Sequence, residues 1–254
     1  MKIFDLSLPI DDAAPEPFPV MIERVGHAEG AARVGQKFEG RLGKDSFLDG
    51  MFLSHETVTA SVHCGTHVDA PFHFGPVSAG MPSKTIAELP LEWCYGDGVV
   101  LDVTQIPPGG EITAEDLEEA TRRLEYTIKP GDIVMLMTGA DRYFGGPEYF
   151  SKFPGLGVDA LDFLLDMGVR TIGIDAVGLD RPFAAMVEDY GRTKDGSKLW
   201  PAHLHGRKRE YCHIERLANL DKLPKRFGFK FACFPVKIKD AGAAWARAVA
   251  IFED

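Results

Sequence analysis

No stretch of the 254-residue chain approaches the roughly 18–20 consecutive apolar residues that cross a bilayer. At the N-terminus, Met1-Lys2-Ile3-Phe4-Asp5 meets an acid before any signal-like apolar run develops, so a cytoplasmic protein without a membrane role is expected. Cysteine pairs are absent as well. Cys64, Cys94, Cys212 and Cys233 stand far apart, which fits neither a disulfide framework nor a CxxC zinc or thioredoxin motif, and predicts reduced thiols. Positive charge is scarce: 28 Lys and Arg against 38 Asp and Glu give a net charge of −10, which repels phosphate backbones. The one basic strip, Arg207-Lys208-Arg209, is too short to reverse that and reads as a solvated loop, so no nucleic-acid partner is expected. There is no internal repeat, low-complexity tract or linker. With 45% hydrophobic and 26% charged residues the composition is that of a globular chain able to bury a substantial core.

The pattern along the chain predicts an α/β fold. Residues 1–60 are loop-rich, with Pro9, Pro15, Pro17 and Pro19 clustered, and read as a short strand (2–6) followed by an arm that wraps another part of the protein or a second subunit. Next come a buried strand at 99–103 and a helix opened by Thr113 and Asp116 as a capping box. A strand at 132–137, a helix near 158–167 stopped by Gly168, and a strand at 170–174 follow. That order, β-α-β-α-β, implies parallel strands covered by helices, with polar residues at their C-terminal ends facing a crevice: Thr138, Gly139, Asp141, Asp175 and Asp180. Further strands are expected at 211–215, 229–238 and 245–252. One domain spanning 1–254 is the simplest organisation.

What the chain does have is a concentration of histidine. Of eight, three lie at 63, 67 and 73 and three at 203, 205 and 213. In Ser61-Val-His63-Cys-Gly-Thr-His67-Val-Asp69-Ala-Pro-Phe-His73-Phe74, the three histidines and Asp69 occupy odd positions, while Val62, Cys64, Val68, Ala70, Phe72 and Phe74 occupy even ones. An extended backbone would therefore carry three imidazoles and a carboxylate on one face. Gly65 and Pro71 argue against a helix. Four residues of strand span about 13 Å, whereas two ligands of one ion lie within about 4 Å, so sharing a metal requires a bend, for which Gly65 is suited. Asp69, two residues beyond His67, needs none. Three isolated histidines would be ordinary core or surface residues, but this grouping has the composition of a metal site. Cys64 faces away by parity and reads as buried structure. In the second cluster His213 and Glu215 share a face if 211–215 is a strand, and spacing alone does not choose which of His203, His205 and His213 joins the site. Glu215, set between Ile214 and Leu217, calls for a cation or a hydrogen-bond network.

The run His63-Cys-Gly-Thr-His67-Val-Asp69-Ala-Pro-Phe-His73 resembles the HxGTHxDxPxH signature of the cyclase family, which includes bacterial kynurenine formamidases and isatin hydrolases. The twelve-residue step from His203 to Glu215, followed by Leu217 and Asn219-Leu220, is similar to that family's second motif, and Gly173-Ile-Asp175 with Asp180 to a third. The resemblance implies a swivelling β/β/α domain with a small barrel-like β core, assembled as homodimers or homotetramers. It implies one metal held by His63, His67 and Asp69, with Asp69 bridging to a second completed by His203 and Glu215, and His73 as general acid/base. The stretch Arg207-Lys-Arg-Glu-Tyr-Cys-His213 differs from the apolar stretch of the formamidases. Phe18 stands near the position of their aromatic substrate contact, usually Trp, and is the candidate substrate-binding residue.

Imidazoles and carboxylates without thiolate suit zinc or manganese, one or two ions per subunit. The expected activity is hydrolysis of a C–N amide bond in a small, aromatic formamide or cyclic amide, by metal-activated water with His73 moving the proton. A lyase or cyclase using the same ion as Lewis acid is the alternative within enzymes, and a non-catalytic metal-binding protein the alternative outside them.

Overall fold

A computed structural model describes residues 1–38 and 41–253. Their contacts divide the chain into two units, Met1–Pro15 with Val62–Asp254, and Glu16–Ser61. The larger is built on a nine-stranded sheet. Its strands are β1 (Lys2–Asp5), β2 (His67–Asp69), β3 (Tyr95–Asp102), β4 (Ile133–Met137), β5 (Thr171–Ile174), β6 (Cys212–Glu215), β7 (Phe229–Ala232), β8 (Ala243–Trp245) and β9 (Val249–Phe252). They lie in the order β1-β9-β7-β3-β4-β5-β6-β2-β8. The middle four are parallel, and antiparallel strands extend both sides. This is an α/β fold of the swivelling β/β/α type.

The parallel centre follows from continuous apolar runs that bury both faces. Val99 and Leu101 of β3, Val134 and Leu136 of β4, and Ile172 and Ile174 of β5 pack with Leu117, Ala120, Leu161, Leu164 and Leu165 of the helices Ala114–Arg123 and Val158–Asp166. Their alternates Val100, Ile133 and Met135 join Val68, Ile214 and Phe231 in a second core on the opposite face. Helix Ala114–Arg123 begins as its sequence predicts. Thr113 Oγ1 accepts from the Asp116 amide at 3.3 Å while Asp116 Oδ2 accepts from the Thr113 amide at 2.8 Å, a reciprocal cap of the kind whose loss costs about 1 kcal/mol.

Two expected strands are shorter than their apolar patterns. The 229–238 segment forms a continuous strand only over Phe229–Ala232, with Pro235 adding an isolated bridge to Ala246, and 245–252 is split between β8 and β9. The smaller unit contains elements that a loop-rich reading lacks: an antiparallel pair, Met21–Val25 with His55–Thr59, and a helix, His27–Lys37. Gly30 and Gly35 weaken the helical signal of that segment. Gly30 is there for space, since a Cβ on it would stand 2.7 Å from the Leu53 carbonyl oxygen. Among the described residues no helix is long and apolar enough to cross a membrane.

Candidate metal centre

Sheet register assembles the middle of the site. β2 and β6 run antiparallel with Asp69 opposite His213 and His67 opposite Glu215. Side chains two apart share a face, and directly paired residues have their Cβ atoms about 4.5–5.5 Å apart, so two imidazoles and two carboxylates meet as a square. All four are buried.

Local backbone features bring in the rest. The first cluster is extended only over His67–Asp69; before it the chain turns, with Gly65 at φ +59°, so the expected bend is present. That turn folds His63 back until its Nδ1 lies 3.3 Å from His67 Nε2 and 3.0 Å from Asp69 Oδ1. His73 sits on a single helical turn, Pro71–Phe74, rather than on an extended strand, and reaches the cluster with Nε2 3.9 Å from Asp69 Oδ2. His203 comes from helix Pro201–His205, whose first turn is held by Asp180. The carboxylate accepts from the amides of Ala202 at 2.7 Å and His203 at 3.1 Å, and from the His203 ring at Nδ1 at 2.5 Å. His203 Nε2 then faces Glu215 Oε1 at 3.6 Å and Asp69 Oδ2 at 4.0 Å.

Of the residues expected to form the site, His63, His67, Asp69, His73, His203 and Glu215 all converge. Phe18 belongs to the smaller unit, where its side chain is exposed. His205 is elsewhere: its ring pairs with Asp162 at 2.8 Å, beside Arg209, which pairs with Asp162 and Asp166. Cys64 is buried. Arg207 is anchored on the Phe74 carbonyl at 2.6 Å, so the basic strip is less free than a solvated loop. His213 is the member that spacing did not assign. Its Nε2 lies 3.0 Å from Asp69 Oδ2 and 3.1 Å from Glu215 Oε1. Phe74 stacks on the ring at a centroid distance of 5.2 Å and is itself stacked on Tyr211 at 5.0 Å. The signal was the shared parity of His213 and Glu215; the register that sets His213 against Asp69 was not in it.

The polar atoms fit a cation. The His67 ring directs Nδ1 at the Gly65 carbonyl at 2.9 Å, an acceptor, so the proton sits on Nδ1 and Nε2 presents a lone pair. Its neighbours are carboxylate oxygens, Glu215 Oε2 at 3.4 Å and Asp69 Oδ1 at 3.6 Å. Asp69 Oδ1 is buried and, although close to His63 and His67, receives no well-directed hydrogen bond. Acceptor atoms converging within 4 Å call for a proton or a cation among them, and separations of 3.0–3.6 Å suit ligands each about 2 Å from one ion. The donor atoms of Asp69, His203, His213 and Glu215, and those of His63, Asp69 and His73, form sets in which all atoms lie within 4.8 Å of one another.

The electrostatics carry the same message. Burial works against both carboxylates, yet the surrounding imidazoles hold Asp69 and Glu215 well below their ordinary range. Burial opposes protonation of His213, but its hydrogen bonds to Asp69 and Glu215, with their charges, raise it to about 10. At His73 desolvation prevails over the attraction of Asp69, and the neighbouring His203 and His63 add to it, lowering the ring to about 4.

Fold and site together define an α/β protein with a buried His/Asp/Glu centre able to hold a divalent cation. Residues 4–181 match the family model described as "Putative cyclase", and the chain belongs to that cyclase family. It is 30% identical over 125 residues to kynurenine formamidase of Bacillus cereus (strain ATCC 14579), covering 48% of this chain and 51% of the relative; the enzyme of Bacillus anthracis matches to the same extent. The chain thus spans about half the length of the curated relatives it matches. In fold it is similar to an isatin hydrolase solved with the product analogue thioisatinate, with a TM-score of 0.76, 21% identity, and coverage of 100% of this chain and 93% of the other. Isatin hydrolase A from Ralstonia solanacearum gives a TM-score of 0.76 at 22% identity, over 99% and 92% of the two chains.

Proposed function

We propose that this protein is a metal-dependent hydrolase that cleaves the C–N bond of a small formamide or cyclic amide. The observation that carries the reading is the convergence of His63 Nδ1, His67 Nε2, Asp69 Oδ1 and Glu215 Oε2, with a carboxylate oxygen buried and left without a directed hydrogen bond. These four residues would hold a zinc or manganese ion. When bound, such an ion supplies Lewis acidity, which makes a water more acidic and a carbonyl more electrophilic.

The protein's own groups do the rest. His73, with its side chain 34% exposed at the rim, is the member of the cluster best placed to meet both solvent and substrate. Its lowered pKa keeps it neutral at physiological pH, so Nε2 has a lone pair to take a proton from the attacking water. The same proton passes to the leaving nitrogen as the C–N bond breaks, giving an amine and a carboxylic acid, which releases its remaining proton to solvent as the carboxylate. Asp69, 3.9 Å away, stabilises the ring while it carries that proton. His203, its Nδ1–H fixed by Asp180, aims a second lone pair into the cleft. The names of the relatives support a formamide such as N-formylkynurenine or a cyclic amide such as isatin as substrate class.

The test is turnover of N-formylkynurenine and isatin by protein loaded with zinc or manganese and by chelator-stripped protein, run in ¹⁸O-water. Metal-dependent turnover that places label in the product supports the reading. Turnover without label means a lyase or cyclase reaction, and turnover unaffected by complete metal removal overturns the proposal.

A further inference from the structure

Behind the helix that presents His203 lies a cavity of about 660 Å³ that no residue of the metal centre borders. Pro201, Leu204 and His205 line it. At about 100° per residue these three fall on one side of helix Pro201–His205, and His203, about 200° round from Pro201, points from the other. The remaining walls are helix Phe183–Thr193, through Met186, Asp189 and Arg192, the first turn of helix Val158–Asp166, and the segment at Arg181. All of them belong to the larger unit. The volume falls within the range of roughly 300–1,000 Å³ found for small-molecule sites.

We propose that this cavity is a second binding site, for a small organic oxyanion with two negative charges on a short apolar body. Because the cavity and the metal centre share no lining residue, the inference stands or falls apart from the metal reading.

Charge is the first argument. Five cations line the cavity, Arg181, Arg192, Lys198, Arg207 and Lys208, against three acids, Glu111, Asp159 and Asp189. That is a surplus of two positive charges on a chain whose net charge is −10, and a local surplus of this sign attracts anions. Two of the acids are already committed. Asp189 is shared between Arg181 at 2.9 Å and Arg192 at 2.5 Å, so one carboxylate meets two guanidinium groups. Asp159 Oδ2 accepts from the Ala114 amide at 3.0 Å. Lys198 and Lys208 make no ion pair among the described residues, and Arg207 spends its Nε on a neutral acceptor, the Phe74 carbonyl, at 2.6 Å.

Fixed donors are the second argument. The Arg181 side chain is 22% exposed and tied to Asp189, and its Nε is buried without a hydrogen-bond partner. Buried donors are nearly always paired, and an oxyanion at this wall supplies the acceptor that the protein does not. Arg181 and Arg207, each held at one nitrogen, present planar forks that match the oxygens of a phosphate or a carboxylate. Apolar surface is the third. Leu156, Val158, Met186 and Leu204 also line the cavity, so a bare inorganic ion would leave that surface unmatched and an organic body would cover it.

Met186 supplies a local reporter, because it lines the cavity. Full-length protein carrying ¹³C-methyl methionine is titrated with phenyl phosphate, with tricarballylate and with uncharged benzyl alcohol, and Met186→Leu assigns the signal. The expected result is a saturable shift of the Met186 methyl with at least one anion and none with benzyl alcohol. The anion that saturates at lower concentration identifies the head group as phosphate or carboxylate. The exposed pair of substitutions Lys198→Gln and Lys208→Gln, made together, is expected to weaken that binding by about 2- to 30-fold, at roughly 0.2–1 kcal/mol for each exposed charge pair lost. No saturable shift with either anion up to tens of millimolar overturns the proposal, as does a shift confined to other methionines. An equal response to benzyl alcohol, or affinity unchanged in the folded double variant, overturns it too.

Discussion

Asp180→Asn probes the organisation of the site without touching an ion-facing atom. Asp180 is buried, and all three hydrogen bonds described for it are accepted: from the amides of Ala202 and His203 and from His203 Nδ1. An asparagine has one acceptor oxygen. If that oxygen faces Ala202, the amide NH₂ opposes the His203 N–H and Nδ1; if it faces His203, the NH₂ opposes the Ala202 N–H. Either way at least one buried donor is unsatisfied, at about 1–3 kcal/mol, and the remaining bonds lose charge assistance, about 1 kcal/mol more. The total, roughly 2–4 kcal/mol, corresponds to a fall in Tm of roughly 4–16 °C for a chain of this size. Where the NH₂ meets Nδ1, it also pushes the His203 proton to Nε2 and removes the lone pair aimed into the cleft. Scanning calorimetry measures the first effect and ¹⁵N-histidine NMR of the imidazole tautomers the second. A Tm change below about 2 °C, or a wild-type His203 already protonated at Nε2, refutes the reasoning.

Other perturbations test separate links. His73→Ala should leave bound metal unchanged while turnover falls about 10²- to 10⁴-fold, as for loss of a general acid/base; a fully active variant removes the assignment. Asp175, buried and accepting from the Thr138 amide and hydroxyl and the Gly139 amide, is pushed up to about 7, chiefly by burial. Its folded pKa exceeds the unfolded value near 3.9, so the contribution is present below about pH 4 and is lost as pH rises through about 7. Denaturant unfolding across pH 4–8 should show that decline in the wild type and a flatter profile in Asp175→Asn; equal profiles contradict it. Mn²⁺ or Zn²⁺ at 100 times its Kd should stabilise the stripped protein by about 2.7 kcal/mol and leave an Asp69→Ala variant unmoved, read from thermal melts.

The parallel centre was legible because Val99-Val100-Leu101 and Ile133–Met137 are apolar on both faces and Thr171–Ile174 is short and free of charge, the pattern of strands covered on both sides. Strand ends were not, because beyond Ala232 the pairing thins to a single antiparallel bridge, Pro235 with Ala246, and hydrophobicity does not record where a ladder stops. The helix His27–Lys37 escaped because its glycines serve close packing and depress propensity. In the site, parity grouped His63, His67 and Asp69, and Gly65 announced the bend. His213 stayed unassigned because its role depends on an antiparallel register between residues 144 positions apart, and no local rule sets that.

The central claim is that His63, His67, Asp69 and Glu215 hold a divalent ion. Its most direct measurement is diffraction from crystals of the protein loaded with Mn²⁺ or Zn²⁺, with data collected on both sides of the metal absorption edge. The account predicts an anomalous peak within about 2.0–2.3 Å of His63 Nδ1, His67 Nε2 and the facing oxygens of Asp69 and Glu215. A metal-saturated crystal with no peak among these four residues contradicts it.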